Sequence, residues 1–238
     1  MKNQPTKQLA KTIGWLYLFV IILAGFSQGY VRASIIVPGD AEGTALNIMT
    51  QEDLFRLGLA TDLTAFLLDA VISVLLYQLF KPVNKNLAMV SAALRLLAHP
   101  AIASLNLLNH YMAIEVLNAE WLSAFSPEQI EILPLLFMEA HRYGYLIAGV
   151  FFGLHCLLFG ILIYQSKLIP KVFGFLMAFT AVGYLSESFG NMLFPGHEAR
   201  LALLVGSTAA LGEVSLTLYL LIKGVKASYH IEETNSTQ

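Results

Sequence analysis

Several ionisable side chains lie in strongly apolar surroundings: Asp62, Asp69, Arg95, His99, His141, His155, Glu187 and Glu213. Carboxylates with one or two histidines suit zinc or another divalent metal. A metal so held activates water for hydrolysis. The same groups strung along an arginine would pass protons instead. Asp62, His141, Glu187 and Glu213 are the candidate ligand-binding or metal residues. Asp69, Arg95 and His99 are the candidate supporting ion pair or relay. No HExxH, P-loop or glycine-rich dinucleotide turn occurs.

These groups need elements that can hold them. The chain has 238 residues, 57 % hydrophobic and 13 % charged, with a mean hydropathy of +0.66. Soluble domains are about 25 % charged. So little charge cannot cover a soluble surface, which excludes a conventional soluble enzyme and a disordered chain. A net charge of −2 with no basic block excludes a nucleic-acid binder. The single cysteine, Cys156, excludes a disulfide framework or a cysteine zinc site within one chain.

The chain reads as all-α, a polytopic bundle of six transmembrane helices forming one membrane domain over 1–228. The spans fall at about 12–31, 57–80, 87–108, 135–165, 172–194 and 201–222. A polar cytoplasmic tail is expected over 229–238. The N-terminus resembles a signal peptide, but its apolar run is long enough to be a retained first span.

All nine lysines fall at the N-terminus, the second loop, the fourth loop or the C-terminus. Those four places share one side, which the positive-inside rule makes cytoplasmic. Both termini are therefore expected on the inside of the membrane. On the other side, Pro38-Gly39-Asp40 reads as a turn, and Thr50 as an N-cap with Asp53 at the third helical position. Ser126-Pro127-Glu128-Gln129 reads as a capping box with proline at the first helical position.

Counting about 1.5 Å per residue from that side puts Asp62, His99, His141 and Glu187 in the outer third. Asp69, Arg95, His155 and Glu213 lie nearer mid-depth. Asp62 and Asp69 share a helical face. Ser91, Arg95, His99 and Asn106 form a stripe that continues to Asn109 or His110. Four acids thus face one intramembrane arginine, and Asp69 is its expected partner. The other three acids imply a bound cation, a bound proton or histidinium. His155 reads better as a core histidine bonded to a backbone carbonyl.

Segments along the chain carry a family resemblance. They include Gly14-Trp15-Leu16-Tyr17, Ile36-Val37-Pro38-Gly39-Asp40 and Phe55-Arg56-Leu57-Gly58. The most specific is Lys81-Pro82-Val83-Asn84-Lys85-Asn86-Leu87-Ala88. Later come Phe125-Ser126-Pro127, His141 with Tyr143-Gly144-Tyr145, Leu168-Ile169-Pro170, Gly183-Tyr184 and Leu211-Gly212-Glu213. On these the chain resembles the bacterial membrane family called domain of unknown function 4386 (DUF4386), from roughly Ala10 to Gly224. The resemblance implies the architecture and a bacterial inner membrane, and leaves the activity open.

The leading expectation is a polar intramembrane cavity open to the outer side. It would bind a small molecule or lipid headgroup, with metal-assisted hydrolysis as its chemical form. The alternatives are a proton-coupled transporter or channel, using Asp69, Arg95, His99 and Glu213, and a non-catalytic scaffold. A transporter of this size would need a repeat or a dimer, and the sequence has no repeat. Polar groups skewed to one half suit one-sided access.

Overall fold

Helix is the only way for single apolar segments to satisfy their backbone groups in lipid. The structure, a computed structural model, describes residues 4–226. The tail expected at 229–238 lies outside the described residues. Among the described residues six helices are long and apolar enough to cross a membrane: α1 (Thr6–Ile35), α2 (Glu52–Phe80), α3 (Lys85–Asn118), α4 (Pro127–Gln165), α5 (Lys171–Leu193) and α6 (Glu198–Ile222). The protein is a multi-pass membrane protein and its environment is a lipid bilayer.

Most of these helices outrun the apolar windows that reveal them. The extra turns lie largely at the end away from the lysines. There α1 continues to Ile35, α3 to Asn118, and α4 starts at Pro127.

Helix ends follow local chemistry. Ser126 Oγ accepts from Gln129 N at 3.4 Å while Gln129 Oε1 accepts from Ser126 N at 3.0 Å, so the capping box forms. Asn84 Oδ1 caps α3 by accepting from Leu87 N at 3.0 Å. Asp40 caps a short helix, Ala41–Thr50, by accepting from Gly43 N at 2.9 Å. Gly39 turns the chain before it with φ +78°, a conformation costly for any residue with a Cβ. The expected Thr50 cap does not form. Thr50 Oγ donates back to Leu46 O at 2.8 Å, inside the short helix, and Gln51 holds the N-cap position of α2.

Each helix packs against the next, and α6 returns to α1 to close the ring. The α4–α5 seam is the most extensive. There Gly160 and Gly174 bring the two backbones together: a Cβ at Gly160 would lie 2.6 Å from Gly174 O, and one at Gly174 would lie 2.7 Å from Gly160 O. A core of Tyr17, Ile72, Leu76, Phe152, Phe159, Met177 and Leu216 fills the lysine-side half of the ring. Phe19, Leu67, Leu105, Phe175 and Leu203 are exposed apolar side chains that suit lipid contact.

Three helices contain a π segment: Gly25–Arg32 in α1, Leu97–Ala103 in α3 and Ala210–Val214 in α6. Pro100, inside the second, has no N–H to give an α-helical ladder. Each π segment carries a polar group into the bundle: Arg32 with Ser27, His99, and Glu213 respectively.

Candidate metal centre

Two polar clusters lie on one face of α2, seven residues apart. The deeper one is centred on Arg95, whose side chain is 1 % exposed. Its Nη2 pairs with Asp69 Oδ1, and its Nη1 donates to Tyr17 OH. Asp69 Oδ2 accepts from His99 Nδ1 at 3.2 Å. His155 Nδ1 donates to Ser91 O at 2.9 Å, which leaves Nε2 to accept from Arg95 Nη1 at 3.1 Å. The guanidinium also lies over the rings of Tyr17, at 4.5 Å, and Phe152, at 5.1 Å. Asp69, Arg95 and His99 are thus joined, and His155 bonds a backbone carbonyl. Nearby, Tyr184 OH donates to Glu213 Oε1 at 2.9 Å.

The second cluster lies toward the end away from the lysines. Asp62, His110 and His141 are 0 %, 0 % and 2 % exposed. Each offers a ligand atom within 4.8 Å of the other two. His110 Nε2 donates to Phe55 O at 3.0 Å. His141 Nδ1 donates to Asn106 O at 3.1 Å. Each backbone bond fixes a tautomer, so the other ring nitrogen is bare. Those nitrogens, His110 Nδ1 and His141 Nε2, have no hydrogen-bond partner, and neither has Asp62 Oδ1. The three unpartnered atoms are one from each member of the cluster.

The surrounding chain holds these rings rigidly. His110 packs tilted against Phe55 with centroids 4.0 Å apart, and His141 packs edge-on to Tyr145 at 5.1 Å. Asn106 Nδ2 donates to His141 O at 2.7 Å, tying α3 to α4 from both directions. Gly144 makes that possible, because a Cβ there would overlap Asn106 Oδ1.

Asp62 has a basic partner, which corrects the expectation of a lone arginine among the buried acids. Arg32 Nη1 pairs with Asp62 Oδ2 and donates to Ser27 Oγ at 3.0 Å, and Ser27 Oγ in turn donates to Gly58 O at 2.8 Å. The first span was expected to stop near residue 31. The helix runs on through its π segment, and that turn swings Arg32 inward.

The four candidate residues do not form one group. Asp62 and His141 meet, and His110 is the third member. Glu213 sits with Tyr184. Glu187 is half-buried on α5, its carbonyl accepting from Asn191 Nδ2 at 2.8 Å. Glu187 was expected at the depth of Asp62 and His141 but lies on α5 outside their group, so matching depth did not imply matching position. His110 was legible only as the continuation of the α3 stripe. Its place on α3 four residues beyond Asn106, and so one turn further on the same face, is the signal that could have found it.

No solved structure matches the chain. An uncharacterised protein of Archaeoglobus fulgidus is 32 % identical over 163 residues, covering 68 % of this chain and 80 % of that protein. The family model described as domain of unknown function (DUF4386) matches residues 12–224. The sequence therefore belongs to the DUF4386 family, as the Lys81–Ala88 run and its companion segments led one to expect.

Proposed function

We propose that the protein is a membrane-embedded metalloprotein in which Asp62, His110 and His141 hold a divalent cation such as zinc. The single observation that carries this reading is the set of three buried atoms without partners, one from each residue. An orphaned buried acceptor costs about 1–3 kcal/mol. The three atoms belong to three residues whose ligand atoms lie within 4.8 Å of one another, an arrangement that suits a cation bound to all three. Both histidines donate their other N–H to backbone carbonyls, the arrangement that orients metal-ligating imidazoles. Three protein ligands leave a fourth position for water or substrate, as in catalytic zinc sites. The reaction class is hydrolysis by metal-activated water, on a small molecule or lipid headgroup. The lysine distribution supports a cytoplasmic placement of the lysine-bearing loops and both termini in a bacterial inner membrane. The metal would then lie nearer the outer face.

The test is elemental analysis and zinc titration of detergent-purified protein. One zinc per chain is expected, and Asp62→Asn, His110→Gln and His141→Gln should each weaken retention by about 10–100-fold or more. A wild-type chain that holds no metal after zinc loading overturns the reading.

The transporter reading leans on Asp69, Arg95, His99 and Glu213. Asp69 has both oxygens bonded, and Arg95 is unpartnered only at Nε. Such saturation favours a fixed brace over a moving relay.

A further inference from the structure

The candidate metal centre carries its own cation, Arg32. With Arg32 against Asp62 and both histidines neutral, the cluster's charges already cancel. Among the described residues no second carboxylate joins the ligand group. A divalent metal would therefore leave two positive charges uncompensated at a site whose ligands are at most 2 % exposed. Burying uncompensated charge is costly, and the compensating group must be an anion.

The surroundings indicate which anion. Arg32 lies three residues from the end of α1, about 5 Å in height. The same end carries Tyr30, Trp121 and Phe125, exposed aromatic side chains of the kind that settle at headgroup level. The Arg32 side chain is 11 % exposed, so it is closed in but not sealed. One guanidinium nitrogen, Nη1, makes both of its bonds, to Asp62 and Ser27. Its planar fork offers further donors, in the geometry that matches phosphate oxygens.

We infer that the fourth ligand of the Asp62–His110–His141 metal is a phosphate oxygen, with Arg32 holding the same phosphate group. This rests on the metal reading above and deepens it. The site would then take metal and phosphate as a coupled pair, each favouring the other. Asp62 would ligate through Oδ1 while Oδ2 stays with Arg32, which fixes the carboxylate between the two cations. The phosphate can come from a lipid headgroup or from free phosphate.

The experiment uses the full chain in uncharged maltoside micelles, stripped of metal and loaded with Co²⁺, whose visible absorption reports its ligands. Co²⁺ affinity is measured alone, with inorganic phosphate, and with short-chain phosphatidylglycerol. Tightening of at least about tenfold by either phosphate source, with a changed spectrum, is expected. If inorganic phosphate suffices, free phosphate is the ligand; if only the phospholipid acts, it is a headgroup. Arg32→Gln should abolish the phosphate effect and tighten Co²⁺ binding in its absence, because a repelling charge is gone. A merely structural Arg32 would weaken binding instead. Arg32→Lys keeps the charge and should keep a reduced phosphate effect, which preserves the test if Arg32→Gln does not fold. Co²⁺ that binds with the same affinity in all three conditions overturns the phosphate ligand and leaves the metal reading intact. An Arg32→Gln chain that keeps the full phosphate effect overturns it too. A wild-type chain that binds no Co²⁺ or Zn²⁺ in any condition overturns both.

Discussion

Asp62 and Asp69 stand two turns apart on one face of α2, and each is met by an arginine from a different helix, Arg32 from α1 and Arg95 from α3. The two pairs differ in the second carboxylate oxygen. On Asp69 it accepts from His99; on Asp62 it has no partner and lies in the cluster with two histidines. One pair is a closed brace and the other leaves a carboxylate oxygen without a partner.

The brace should be measurable. Arg95→Leu leaves Asp69 buried with only His99, so a loss of about 3–5 kcal/mol is expected. Adding Asp69→Asn should recover part of it. Thermal unfolding in detergent checks both, and a double variant that melts no higher than Arg95→Leu would mean the two are not coupled.

Glu213 should prove dispensable for metal retention. Glu213→Gln keeps an oxygen for Tyr184 OH and should shift the melting point little, whereas Glu213→Leu strands that hydroxyl at about 1–3 kcal/mol. Zinc content should stay equal in both. Loss of zinc from Glu213→Gln would place this acid in the centre after all.

Gly144 should matter more than its size suggests. Gly144→Ala pushes Asn106, whose amide and carbonyl both bond His141. Zinc affinity should fall by about 10–100-fold, the usual effect of disturbing a group that orients a metal ligand. Gly29→Ala, at a position with nothing within 4 Å, is the control and should leave affinity unchanged.

The α4–α5 seam should tolerate no added carbon. Gly160→Ala would set a Cβ 2.6 Å from Gly174 O, forcing the two backbones apart, and should cost about 1–3 kcal/mol. A melting point equal to wild type would show that the seam yields.

Sidedness can be read by impermeant thiol labelling in intact cells. Glu120 and Lys167 are exposed at opposite ends of the bundle, and Cys156 is fully buried. Glu120→Cys should label and Lys167→Cys should not. The reverse pattern would invert the topology.

The sequence made the span count and the α4 capping box legible because both are local: twenty apolar residues, or Ser126 facing Gln129, need no distant partner. The Asp69–Arg95 contact followed from equal depth on helices joined by a four-residue turn, Lys81–Asn84. The candidate metal centre was only half legible. Asp62 and His141 were visible as ionisable groups at similar depth. His110 was not singled out, because the apolar window over α3 ends at residue 108 while the helix runs to Asn118. Arg32 was counted as a loop residue for the same reason. Depth along an axis can be counted from a sequence. Rotation around the ring cannot, so Glu187 was grouped with residues it does not meet, while Glu213, nearer mid-depth, joins Tyr184 instead.

The three π segments bear on kinship as well as geometry. A π turn closes its hydrogen bonds over one residue more than an α turn, so each is in effect a retained insertion. Removing one residue from Gly25–Arg32 would leave a regular helix but rotate Arg32 by about 100° away from Asp62. The same holds for Leu97–Ala103 and the residues that follow it to His110. Span length thus becomes a diagnostic among relatives. A chain aligned with single-residue gaps in these two places has lost the register of the Asp62 cluster, whatever residues it keeps there.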